Sequence, residues 1–184
     1  MMTYIERRAA GRTVLVLLAA AMIVYAFMMT VTIPTVTREA HGLPIFDLRP
    51  GGYSVSDART LLGTMTDQGK WYYAHVQIPT DFLYPPLLGL FGVFALAWLR
   101  RRVRFPKLLI LLPLGATLFD WLENVAILLM LGGNLGPRVV AAGSAFTVSK
   151  SIFTSIFMTA LLVIGIVALI KAVIRRRRPT DESV

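Results

Sequence analysis

Asp120, Glu123 and Asn124 fall at positions i, i+3 and i+4 of one apolar run, so on a helix their side chains share a face. The run, residues 108–131, is long and apolar enough to cross a bilayer. A carboxylate at the centre of such a helix costs about 3 kcal/mol on insertion scales. It therefore faces protein or trapped water and is a functional-site candidate by default. The chemistry this trio offers is proton transfer, with Asp120 as proton donor, Glu123 as base or orienting carboxylate, and Asn124 as a polar positioner.

A second polar group comes from the last apolar segment, where Lys150 sits among Thr147, Ser151, Thr154 and Ser155 at three- and four-residue steps. Counted from the segment ends at 1.5 Å per residue, Glu123 lies roughly 12 Å deep, Asp120 roughly 16 Å and Lys150 about 7–8 Å. A lysine stem covers that mismatch and pairs Lys150 with Glu123. Asp120 is then left without a cation and must be protonated, hydrated or bound to a ligand, while Lys150 sets the local charge or binds an anionic headgroup. The hydroxyls alone fit helix-to-helix contacts better than a site. Asp81 and Tyr84 enter from the mouth of the second segment as further substrate-binding candidates. Asp81, following Pro79-Thr80, also fits near a helix N-cap. His75 with Asp81 and Glu123 is the one metal-binding combination in view. No paired ligand spacing supports it, so no metal site is predicted.

These residues are positioned by four apolar segments, at about 13–33, 81–99, 108–131 and 145–174, each able to close its backbone hydrogen bonds in lipid only as a helix. The pattern predicts an all-α integral membrane protein, a single four-transmembrane-helix bundle with a structured first exoplasmic loop. Pro34 ends the first segment, Pro85 and Pro86 suit a first helical turn, and Pro113 predicts a kink. Gly89, Gly92 and Ala95 give the second helix a small-residue face for close packing. The first loop, 34–80, is too long for a bare connector. Pro50-Gly51-Gly52 predicts a turn, and Ser54 or Ser56 caps a short helix through Met65, closed by Asp67-Gln68-Gly69. Trp71, Tyr72 and Tyr73 follow as a headgroup-level aromatic group. The second exoplasmic loop is placed at 132–144, the cytoplasmic loop at 100–107 and the tail at 175–184.

Composition fits this class. Hydrophobic residues make up 56% and charged residues 16% of 184, a balance foreign to soluble domains. The net charge of +9 suggests nucleic acid. Its distribution excludes that partner, because the cations stand in blocks at the ends of apolar segments: Arg7, Arg8 and Arg12; Arg100, Arg101, Arg102, Arg104 and Lys107; Lys171 and 175–178. The bias puts both termini in the cytoplasm of a multi-pass protein of a plasma or inner membrane. A cleaved signal peptide is the alternative for the first segment, whose apolar run is longer than a usual h-region. Without cysteine there is no disulfide, thiol redox or thiolate metal chemistry.

Four spans with cytoplasmic termini and a long first exoplasmic loop resemble claudin-like tetraspan proteins in architecture, without the paired loop cysteines of that family. The asparagine- and glycine-rich motifs of lipoprotein signal peptidases, a Walker loop, GxSxG and a dinucleotide fingerprint are all absent. The functional expectation is a buried polar site in the exoplasmic half that binds or acts on a lipid or other hydrophobic molecule entering from the outer leaflet. Proton transfer needs no cofactor, and none is expected. The alternative is a non-enzymatic accessory or assembly subunit that docks on a partner membrane protein, with the polar cluster structural. Proton-coupled transport needs access from both sides, and the apolar cytoplasmic half argues against it.

Overall fold

The computed structural model describes residues 9–177; Arg7, Arg8 and the residues of the tail beyond 177 lie outside them. Among the described residues the chain is helical without strands, and four helices are long and apolar enough to cross a membrane. We label the helices α1 (Gly11–Glu39), α2 (Val55–Thr64), α3 (Asp67–Leu99), α4 (Lys107–Leu131) and α5 (Pro137–Arg177). The long helices alternate in direction. α1 packs on α3, α3 on α4, α4 on α5, and α3 also touches α5, whereas α1 and α5 hardly meet. The bundle is therefore open on one side.

Three helix ends differ from the expectation, each for a backbone reason. α1 does not stop at Pro34. It widens into a π turn over Met28–Thr32 and runs on to Glu39. α3 begins at Asp67 rather than near 81, with its own π turn over Tyr73–Gln77 just before Pro79. Proline cannot donate to the carbonyl four residues back and its ring crowds that carbonyl; the wider turn relieves the clash. Thr35 and Thr80 then donate to Val31 O and Val76 O, at 2.7 Å each. The two devices share a sequence, Thr32-Ile33-Pro34-Thr35 and Gln77-Ile78-Pro79-Thr80, and meet where the Thr32 hydroxyl donates to the Gln77 carboxamide. Asp67-Gln68-Gly69 consequently opens a helix instead of closing one, capped by Thr66, whose hydroxyl accepts from Gly69 N at 3.0 Å. Finally, α5 starts at Pro137, leaving only 132–136 as the connection. Pro113 makes no mid-helix kink, because it stands in the first α-helical turn after a 3-10 start, where its missing N–H costs nothing.

The segment between α1 and α3 folds over one end of the bundle, hereafter the loop end; the opposite end carries the cluster Arg100, Arg101, Arg102 and Arg104. Ile45, Phe46, Leu61, Leu62 and Met65 are buried with Tyr53 and Tyr73, and the Phe46 ring lies 4.7 Å from that of Tyr53. α2 is set by Ser54, whose side chain accepts from Asp57 N while Asp57 accepts from Ser54 N at 2.8 Å, a full capping box. These bonds from Ser54 hold the Asp57 carboxyl below the usual carboxylate range. Replacing Ser54 by alanine is expected to cost about 1 kcal/mol of local stability. Hydrogen exchange at the Val55–Thr64 amides is the check, and those amides should exchange several-fold faster. Since the lowered group stabilises only while ionised, the difference should shrink as pH falls through and below the ordinary carboxylate range.

Candidate functional site: a sideways cleft with a carboxylate floor

The opening between α1 and α5 is a cleft of about 410 Å³. One wall is Tyr25, Met28, Met29 and Ile33 of α1; the other is Ser151, Thr154 and Ser155 of α5; Asp47, Leu48 and Pro50 roof it. Its floor holds Asp81 and Tyr84 of α3, Asp120 of α4 and Lys150 of α5. The mouth is apolar on the α1 side and lined with hydroxyls on the α5 side, and the floor is ionic.

The hairpin of α4 and α5 sets the level of the charges. With a connection of only 132–136, Asp120 lies about 16 Å and Lys150 about 20 Å along their helices from the turn, so the two stand nearly opposite. Glu123 lies only about 12 Å from the turn, so the Lys150 stem leans back toward the turn to reach it. Its ammonium pairs with Glu123 and also lies 3.4 Å from Asp120 Oδ1, so Asp120 is not the uncompensated acid expected from the sequence. Glu123, fully buried, also accepts from Thr147 Oγ1 at 2.6 Å.

Asp81 is instead the acid without a cation of its own. It is no N-cap. π-turned α3 carries it inside a continuous helix, where it is buried, accepts from Asn124 Nδ2 at 2.9 Å, and lines the cleft floor together with Asp120. Tyr84 stands beside them with its ring 5.6 Å from that of Tyr25.

The sequence reading missed Asp47. It lies on the 3-10 turn Phe46–Leu48 and accepts from the fully buried Tyr73 hydroxyl, with its other oxygen buried and unpartnered. The signal for it was an acid inside the apolar run Ile45 to Leu48 of a loop expected to be structured. Lys150 is within electrostatic reach of Asp120, Glu123, Asp81 and Asp47 together. Tyr53 was missed as well. Gly52, at φ +85°, turns the chain so that Tyr53 N donates to Ser144 Oγ at 2.9 Å, and a Cβ on Gly52 would stand 2.5 Å from that oxygen. Gly143 leaves room for the Tyr53 hydroxyl, which points toward Thr147 without a well-formed bond. Burial pushes this phenol above its ordinary range.

Other candidates lie elsewhere. His75 is exposed, stacks on Trp71 at 5.0 Å and bonds Trp71 O. Trp71, Tyr72 and Tyr73 are helical rather than a loop cluster, and they divide between the surface and the core. Thr117 donates to Pro85 O at 2.9 Å and so ties α3 to α4. Trp121 at mid-helix is accounted for by Pro86. Having no N–H, Pro86 leaves Phe82 O open, and the indole N–H of Trp121 donates to it at 3.1 Å. No group of three or more His, Asp or Glu side chains among the described residues is arranged to hold a metal ion.

No family model, curated protein or solved structure matches this chain. The site is read from its own chemistry. A floor with two acids beside one lysine, which Glu123 holds from behind, can exchange protons with a bound molecule. Buried Asn124 Oδ1, Tyr53 OH and Gln77 Nε2 find no partner within the protein, which marks the surroundings of the floor as unfinished hydrogen bonding.

Proposed function

We propose that this chain is a four-span membrane protein whose cleft binds an amphiphile, a lipid or another hydrophobic molecule, with its polar head on the Asp81–Asp120–Lys150 floor. The observation that carries the reading is the sideways opening between α1 and α5, a mouth with an apolar wall and a hydroxyl wall that ends on buried charge. A soluble substrate would need an aqueous entrance, whereas a bilayer component enters between helices. The cations Arg100, Arg101, Arg102, Arg104, Lys107, Lys171 and Arg175 gathered at the other end support, by the positive-inside rule, a reading with the loop end outside and the cleft in the outer leaflet. Lys150 is occupied by Asp120 and Glu123. An anionic head would therefore meet an acid-rich floor, and a head that donates hydrogen bonds, a hydroxyl or an amine, fits better. In this reading Asp81, the acid without a cation of its own, carries the exchangeable proton, Asp120 stands beside it paired to Lys150, and Glu123 fixes that lysine.

Native mass spectrometry of gently extracted protein tests this. The wild type should retain one defined small molecule, and Asp120→Asn should lose it while unfolding at the wild-type temperature. Met29→Trp, which fills the mouth without touching the floor, should lose it too. No retained molecule in any of the three, all equally folded, would sink the proposal and favour the accessory-subunit reading, in which the polar cluster only holds helices together.

A further inference from the structure

A second cleft, of about 460 Å³, lies at the arginine-rich end between the turn after α3 and the last turns of α5. Arg101 and Arg102 line it from the turn; Lys171 and Arg175, one helical turn apart, line it from α5 together with Ala168 and Ala172. Every ion pair formed among the described residues involves Arg49, Lys70 or Lys150, so none reaches these four cations. The described acids all lie in the loop or in the half of the bundle nearest it. Arg102 is held in place, its guanidinium 3.7 Å over the Trp98 ring. Topology requires only that charges stand near a helix end. It requires neither a concavity nor a stacked arginine.

The same face of α5 continues into an apolar groove of about 510 Å³, walled by Ile156, Ala160 and Ile164 against Phe105 and Leu109 of the segment that leads into α4. Ile164 and Ala168 are one turn apart and belong to one core cluster, so groove and basic cleft are consecutive along the helix. From Ile156 to Ala168 the helix rises about 18 Å, close to the roughly 15 Å of half a bilayer's hydrocarbon. We infer that this furrow is a binding site for an anionic phospholipid, with its phosphate among Arg101, Arg102, Lys171 and Arg175 and one acyl chain along the apolar groove. Charge complementarity selects the head. The matched length selects a lipid over a soluble phosphate. The site is separate from the carboxylate-floored cleft and does not depend on it.

The test is native mass spectrometry of the full chain in detergent with added dioleoyl phosphatidylglycerol or dioleoyl phosphatidylcholine. Wild type should retain the anionic lipid at least about fivefold better, as the attraction of several cations implies. The double variant R102Q/K171Q should bring the two lipids level. Ala160→Trp, which fills the groove and leaves every charge in place, should lower retention of phosphatidylglycerol several-fold, so the inference does not rest on variants that disturb insertion. Gly63→Ala, on α2 and outside both clefts, should leave the preference unchanged. Equal retention of both lipids by wild type, or an undiminished preference in Ala160→Trp, would overturn the inference. Displacement of phosphatidylglycerol by millimolar inorganic phosphate would overturn the lipid part, showing that the cations read a phosphate alone.

Discussion

Lys150→Met should destabilise the protein by roughly 3–5 kcal/mol, the usual cost of removing one partner from a buried ion pair. Its ammonium pairs with Glu123, lies 3.4 Å from Asp120, and is the cation that Asp47 and Asp81 also face. Methionine keeps the packing volume and withdraws the charge, leaving carboxylates buried together with nothing to neutralise them. Reversible unfolding in detergent or mixed micelles reads the loss. Two further outcomes identify its origin. Glu123→Gln added to the variant should recover part of the stability, because the two changes act on one interaction. The penalty should also shrink as pH is lowered, since protonating the acids removes the uncompensated charge. A Lys150→Met protein as stable as wild type would mean that the acids do not need this cation.

Gly92→Ala should cost about 1–3 kcal/mol, the range for forcing an extra methyl group into a packed core. At Gly92 three helices converge. A Cβ there would lie 2.6 Å from Phe157 Cζ on α5 and 2.7 Å from Pro113 Cγ on α4. Phe157 is fully buried and the proline ring cannot bend aside, so the helices themselves must separate. Separation spreads the Asp81–Asp120 contact three turns away, and the variant should lose retained ligand as well as stability. Gly63→Ala is the control: nothing lies within 4 Å of its Cβ position, and helix propensity alone should raise stability by about 0.5–1 kcal/mol. Phe157→Leu in the Gly92→Ala background should restore part of the loss. If Gly92→Ala matched wild type, the close approach of the three helices would not be a requirement of the fold.

Much of this was legible in the residues. Apolar runs of bilayer length located the cores of four helices, because only helices long and apolar enough to cross a membrane read that way. The spacing of Asp120, Glu123 and Asn124 put them on one face, and Ser54 with Asp57 marked the start of α2 through local hydrogen bonding alone. The glycines of the second segment announced close packing, which Gly89 and Gly92 both provide.

Sequence, then, determined what is local: the helix cores, the capping box and the phase of residues within one helix. Tertiary structure decided what depends on distance between helices. Prolines 34 and 79 were read as boundaries, yet a π turn before each let the helix continue, and that fixed where Asp81 points. The brevity of the connection at 132–136 brought Lys150 within reach of both Asp120 and Glu123 and left Asp81, not Asp120, without a cation of its own. Asp47 and Tyr53 reached the site only because the loop folds back over the bundle. Hydropathy measures each segment's exchange with lipid, which is a property of the segment. Which charges neutralise one another is a property of the packed whole.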